Sequence, residues 1–435
     1  MTHLEDTLSR VLSGAADQAP RASAGLAAAV EARHRRRRTR TAALLSATAV
    51  AAVVIGAGAA VNTLRGPAAP PPVTGESGPS ASPGATKHAE PPADEMPPSV
   101  TKVWPKAVHD LPAKLPDGRE YEPQLLLDDR TLLVMTTALD GKRQFLWRYD
   151  LDSGRPTRIT EIPPTKGSAI YADDVAAGGG NIVWWSSYKE PGRRRVARIW
   201  TVPVTGGRPR PVTDVPLGDV MKEGHINGLT VAGSDVVFAY EKGGVHRVPL
   251  SGGRPRPVKG AERHRILRWP WVGVHRGKVV FRELLDAETG ERRDAVVNPG
   301  EEQVRCGVER CVGVKTRNGV SATWFVRDRD GSGERELPTR SAPGAEAGLG
   351  RFFMFQLNGR EAAPAGVALY DADTGRSADL GVRPEKRTIP ARVIRGRHIK
   401  KQTYVSLTIP NGGDDRLLAV RLADRMRIVD LAAIE

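Results

Sequence analysis

From Val100 to Glu435 the apolar residues fall in short β-branched runs, broken by Gly, Pro and Asp. Helical periodicity is nearly absent there. Runs at 131–136, 181–186, 235–240, 278–282 and 403–409 predict strands bounded by turns.

The runs recur with a common frame. Leu146-Trp147-Arg148-Tyr149-Asp150-Leu151 leads to Ser153-Gly154-Arg155-Pro156. Ile199-Trp200-Thr201-Val202-Pro203-Val204 leads to Gly206-Gly207-Arg208-Pro209, and Val245-His246-Arg247-Val248-Pro249-Leu250 to Gly252-Gly253-Arg254-Pro255. Each reads as a strand, a tight Gly turn and a short returning strand. Weaker copies of the turn stand at Gly290, Gly331-Ser332-Gly333 and Gly375. A spacing on the order of 45 residues is the period of four-stranded propeller blades. One blade cannot bury both of its faces, whereas a closed ring can. The expected fold is therefore all-β, a β-propeller of about seven blades over 101–435. A last hairpin, at 417–422 and 427–431, is expected to close the ring by pairing with a strand between Trp104 and Leu115.

Upstream the pattern changes. From Thr41 to Val61 no residue is charged. A bilayer core needs about 20 such residues in a helix. Arg33, Arg35, Arg36, Arg37, Arg38 and Arg40 precede the run, while only Arg65 follows before Lys87. That asymmetry predicts one membrane span over 41–63, with the N-terminus in the cytoplasm and the C-terminal domain outside. A cleaved signal peptide and a buried helix are the competing readings. The long leader and the long apolar run oppose the first, and the Arg-rich and Pro-rich flanks oppose the second. Residues 64–100 carry Pro70-Pro71-Pro72, Pro91-Pro92 and Pro97-Pro98 and almost no large apolar side chains, so they predict an extended, disordered linker.

Residues 1–40 are expected to form a short cytoplasmic helical segment. Thr2 and Glu5 have the spacing of a capping box, and Leu4, Leu8, Val11 and Leu12 share one helical face. Such a stripe fits either a loose leader or a helix that docks on a cytoplasmic partner.

Composition adds less. The net charge is +15, and about 50 of the 65 basic residues are Arg. With abundant Ala, Gly and Pro, this points to a high-GC bacterial genome. No basic cluster beyond the N-terminus alternates with aromatics, so nucleic acid is not an expected partner. Cys306 and Cys311 are the two cysteines, and the four residues between them, Gly307 included, suit a tight turn with a disulfide in an oxidising compartment. No second Cys pair or nearby His completes a metal set.

Catalytic, cofactor-binding and metal motifs are not found, and no cofactor is expected. His225, His246, His264 and His275 lie in the propeller body and could converge on its axis. Residues 328–334 suit either a calcium loop or a hairpin turn. Asp128-Asp129, Asp173-Asp174 and Asp414-Asp415 read as turn residues. Trp184, Trp185, Trp269 and Trp271 read as blade core.

The strand-turn frame, with its Trp, Pro or Asp, and Gly-Gly positions, resembles the TolB-like and WD-repeat-like propellers of bacterial envelopes. The Trp-Asp dipeptide of true WD repeats is absent. The whole arrangement is similar to actinobacterial single-pass membrane proteins with an external propeller, often associated with extracytoplasmic-function sigma factors. The resemblance implies a plasma-membrane protein whose propeller binds a ligand or protein outside the cell, with a sigma factor as cytoplasmic partner. The alternative is a propeller lyase or hydrolase acting on wall polymer or peptide. The sequence favours the non-enzymatic reading. Protease added to intact cells is expected to release the C-terminal mass and spare the N-terminus. A C-terminus that stays protected would contradict this topology.

Overall fold

The computed structural model describes residues 94–138, 143–164, 170–189, 195–217, 225–275, 279–317, 320–343, 346–359, 363–389, 392–394, 397–399, 402–406 and 416–435. The expected span at 41–63, the linker up to Ala93, the stripe at Leu4, Leu8, Val11 and Leu12, and Asp414-Asp415 lie outside them. Among the described residues no helix is long and apolar enough to cross a membrane.

The chain is all-β and forms a seven-bladed propeller. Six blades are four-stranded antiparallel meanders. Blade 1 holds Tyr121–Leu126, Thr131–Thr137, Gln144–Asp150 and Pro156–Ile162. Blades 2 to 6 repeat this order, with first strands Ile170–Gly178, Ile226–Ala232, Arg265–Arg268, Glu301–Cys306 and Glu346–Gly348. The repeat glycines of the sequence all sit in the turns between third and fourth strands. At Gly207 φ is +136°, a backbone conformation that L side chains rarely adopt.

Blade 7 departs from the pattern. Its strands are Leu417–Arg421, Arg425–Asp430 and, from the other end of the chain, Val108–Pro112. The last hairpin does pair with a strand between Trp104 and Leu115, as the sequence predicts. It supplies the two inner strands of the blade, and the early strand supplies the outer one. A hairpin, Glu385–Ile389 with Gln402–Ser406, is inserted between blades 6 and 7. Of the predicted strand at 278–282, the described residues 279–282 form no strand. Val280 makes only an isolated bridge to Arg305, and Phe281 turns the chain at a φ of +55° before the third strand of blade 4, Glu283–Asp286, begins.

The core lies between blades. Trp184 and Trp185 show why, since successive side chains on a strand face opposite ways. Trp184 packs with blade 1, Trp185 with blade 3, and both are fully buried. Every neighbouring pair of blades shares such an apolar cluster, blades 7 and 1 included, where Leu111, Tyr121, Leu132, Leu417 and Ile428 meet.

A fork of hydrogen bonds locks the closing strand. Arg427 Nε donates to Asp110 Oδ1 at 2.7 Å and Nη2 to Oδ2 at 2.8 Å. Arg427 is buried, and its guanidinium holds the Asp110 carboxyl below the usual carboxylate range. That contribution to stability is complete above about pH 4 and drains away as pH falls through the depressed folded value.

Asp110→Ala is expected to cost about 2–3 kcal/mol in denaturant unfolding, less than a wholly buried pair because 29% of the Asp110 side chain is exposed. Adding Arg427→Met should recover part of the loss, and Asp110→Asn should flatten the acid limb of the stability profile. An additive double variant would show that the pair is not a unit.

Candidate functional site

A meander places the turns between strands one and two, and between three and four, on a single face of the ring. We call this the lower face. On it, between blades 4, 5 and 6, lies a cleft of about 520 Å³. Its walls include Arg293, Glu309, Arg310, Arg329, Arg351 and Asp373.

The cleft starts from a thin joint. The apolar clusters joining blades 4 and 5 are small, and Cys306 and Cys311 belong to one of them. The two cysteines face each other across the first hairpin of blade 5 and are joined by a disulfide. The loop they pin carries Glu309 and Arg310 into the cleft wall.

Arg329 completes the joint. Its side chain donates to the carbonyls of Gly307 at 2.7 Å, Phe281 at 3.1 Å and Arg293 at 3.3 Å, and to Arg282 O at 2.5 Å. The residue is only 6% exposed, and burial pushes its pKa down to about 10. Where other joints use apolar area, this one uses a buried guanidinium bonded to backbone. Behind it, Arg327 and Glu301 form a second buried pair, 1% and 2% exposed, at 2.6 Å.

Blade 6 is tied on by charge. Arg310 reaches Asp328 at 3.1 Å within blade 5, and Asp373 at 2.6 Å and Gly350 O at 3.3 Å in blade 6. Burial disfavours its charge, but Asp373 and Asp328 outweigh burial and raise its pKa. Arg351 grips the buried Asp371 with bonds of 2.6 and 2.8 Å. Burial alone would raise the Asp371 pKa; Arg351, Thr374 and the Asp373 amide lower it on balance. The cleft is thus lined by charges held in place before any ligand arrives, and Glu309, half-exposed, stands at its rim.

The other sequence candidates are dispersed. Residues 328–334 form the turn between the third and fourth strands of blade 5. Asp328 is taken by Arg310, Asp330 accepts from Ser332 at 2.8 Å, and Glu334 pairs with Lys315. Among the described residues no group of three or more His, Cys, Asp or Glu is arranged to hold a metal. Of the four His, His225 and His275 both lie near enough to Glu241 to feel its charge. His225 lies 3.4 Å from Glu241, His246 stacks on Phe238, His275 meets the Phe281 ring edge-on, and His264 is half-buried before blade 4.

Around Glu241 a polar knot joins blades 3 and 4 on the opposite face. Asn227 donates to it at 2.6 Å and Arg265 at 2.8 Å. Asp173-Asp174 corrects the turn reading. These residues sit in a bulge of the innermost strand of blade 2, with Asp174 at a φ of +48°. The extra residue aims the Asp174 carboxylate at the Gly228 amide of blade 3, at 3.2 Å. Asp128-Asp129 does form a turn, and Asp129 there pairs with Arg416 of blade 7.

The sequence reading missed the cleft residues. One signal was present. An Arg at the start of a second strand is followed 18 or 20 residues later by an Asp ending the third, as in Arg310 with Asp328 and Arg351 with Asp371.

No family model and no curated protein matches the chain. Among solved structures, a prolyl endopeptidase is similar at 12% identity and TM-score 0.42, covering 66% of this chain and 47% of that one. YCF48 bound to D1 peptide is similar at 10% identity and TM-score 0.41, covering 79% and 99%. TolB from Acinetobacter baumannii is similar at 12% identity and TM-score 0.26, covering 59% and 55%. The chain spans about half the length of the peptidases it matches. At these values the likenesses carry no argument about activity.

Replacing both cysteines with Ser is expected to cost about 2 kcal/mol, given the short loop they close. Amide exchange at 307–310 should quicken while blades 1 to 3 stay unchanged. Unchanged exchange at 307–310 would show that Arg329 alone holds the loop.

Proposed function

We propose that this chain is a membrane-anchored envelope protein whose lower-face cleft receives a polar segment of a partner protein outside the cell. The observation that carries the reading is the pinned loop at 307–310 beside the cross-blade pair of Arg310 with Asp373 and the Arg351–Asp371 pair within blade 6. A cleft with its charges already oriented loses little freedom on binding. It has both signs of charge, and Val308 and Leu349 are its apolar side chains, which suits a polar peptide better than an oily ligand.

The Arg cluster and apolar run at 41–63 support the anchor. The Leu4, Leu8, Val11 and Leu12 stripe supports a cytoplasmic regulator, a sigma factor by the family resemblance, as the partner that would hear of binding outside. A helix can lay such a stripe into a groove.

A photo-crosslinking residue at Asp330 is expected to trap one discrete partner on intact cells, and Glu309→Lys should lower that yield about tenfold by reversing a rim charge. Leu8→Asp with Leu12→Asp should abolish sigma-factor capture and leave membrane insertion intact. An unchanged crosslink in Glu309→Lys would refute the cleft, and sigma-factor capture that survives the leucine changes would refute the cytoplasmic arm.

A further inference from the structure

The cleft does not account for a second feature of the lower face. The stretch Gly-Gly-Arg-Pro-Arg-Pro-Val occurs twice, from Gly206 to Val212 and from Gly252 to Val258. Both copies form the turn into the outermost strand, in blades 2 and 3. Arg208, Arg210, Arg254 and Arg256 are all exposed. In blade 1 Arg155 holds the place of Arg208 and Arg254, and Arg158 lies one position beyond that of Arg210 and Arg256; both are exposed.

The turns are stacked on one another. The Gly207 amide donates to Ile159 O at 3.4 Å, and Thr160 Oγ1 donates to Gly207 O at 2.9 Å, so the blade 2 turn lies beside Arg158. A Cβ on Gly252 would sit 3.2 Å from Val212 O, so the blade 3 turn rests just beyond Arg210. The six arginines therefore follow one continuous step from blade to blade.

No carboxylate of the described residues pairs with any of the six. Arg158 rests on the Phe145 ring at 5.3 Å, and Arg256 is opposite another cation, Arg247, across the strands. The same turns in blades 4 to 6 carry exposed Glu288, Glu291, Asp330 and Asp373, and the blade 1 turn carries Asp150 and an exposed Asp152 that pairs with Arg130, so the purely basic turns are those of blades 2 and 3. Like charges within a Debye length of about 8 Å repel one another. Proline fixes the backbone on either side of Arg210 and Arg256, so these guanidinia start from a rigid base. Such a base lowers the ordering cost of binding.

We infer that this staircase is a docking track for a linear phosphate polymer. Guanidinium groups match phosphate oxygens in pairs, and a thin chain can follow the step without meeting the acidic turns. A flat anionic bilayer laid on the lower face would press against Glu288, Glu291 and Asp330. The track is independent of the cleft, since the two share no residue.

Binding of long-chain inorganic polyphosphate to the full-length chain in detergent, followed by calorimetry across a salt series, tests this. Changing Arg208, Arg210, Arg254 and Arg256 to Gln should weaken binding at least about tenfold and reduce the salt slope by about 3, as expected for lost phosphate contacts. A control with equal net charge, Arg282, Arg292, Arg335 and Arg340 changed to Gln, should bind within about twofold of wild type. Orthophosphate at equal phosphate concentration should fail to compete, because the track needs linked charges. Equal losses in both quadruple variants would reduce the effect to net charge and overturn the track. So would a quadruple track variant that loses more affinity for phosphatidylglycerol vesicles than for polyphosphate, which would make this a membrane-facing surface instead. All four changed side chains are exposed and make no hydrogen bond or ion pair among the described residues, so thermal unfolding of the variant should match wild type.

Discussion

A blade of this protein has two apolar faces and no means of covering both by itself. Everything else in the fold depends on that. Trp184 and Trp185, adjacent in sequence, need different neighbours, and each blade passes the same need to the next. The chain ends the sequence of obligations by returning to its beginning. Val108–Pro112 pairs with Arg425–Asp430, and Arg427 binds Asp110 across a separation of 317 residues. Such a long-range contact brings large apolar clusters at blades 6, 7 and 1 under cover together. The chain enters beside blade 6, where Asp94 accepts the Asn358 amide at 2.8 Å and Pro98 O accepts the Asp379 amide at 2.9 Å. The segment leading into the ring is therefore part of the closure.

The ring is not uniform around its circumference. Most joints are apolar, but between blades 4 and 5 the apolar clusters are small, and Arg329, the Arg327–Glu301 pair and the disulfide take their place. Buried charges of this kind are sensitive to the loss of one partner. A joint built that way leaves polar groups near the surface in fixed positions, and the cleft opens at that joint. Blades 2 and 3 differ again, with arginines on their outer turns that no carboxylate of the described residues pairs. One face of the ring thus carries two chemically distinct regions, one charge-balanced and concave, the other basic and convex.

Much of this fold was legible in the sequence, for physical reasons. A tight turn at positive φ demands Gly, so Gly207 and its counterparts recur with each blade and report the period. The cysteines were legible because the positions flanking a tight two-strand turn face each other. Less was legible where a residue served a long-range need. Blade 7 lacks the turn motif because its third strand arrives from the far end of the chain. Asp173-Asp174 looks like a turn and is a bulge, since its purpose is to reach Gly228 of another blade. Arg329 was hidden inside an acidic turn motif. The cleft residues, spread from Arg293 to Asp373 over three blades, share no local pattern at all.

The most direct test of closure is hydrogen exchange on a chain that lacks residues 94–112. Without its outer strand, blade 7 should lose protection along 417–430, and the loss should extend to the flanking innermost strands at 121–126 and 346–348. Protection of 417–430 equal to that of the intact chain would contradict the account, because it would mean that the ring holds without the strand assigned to close it.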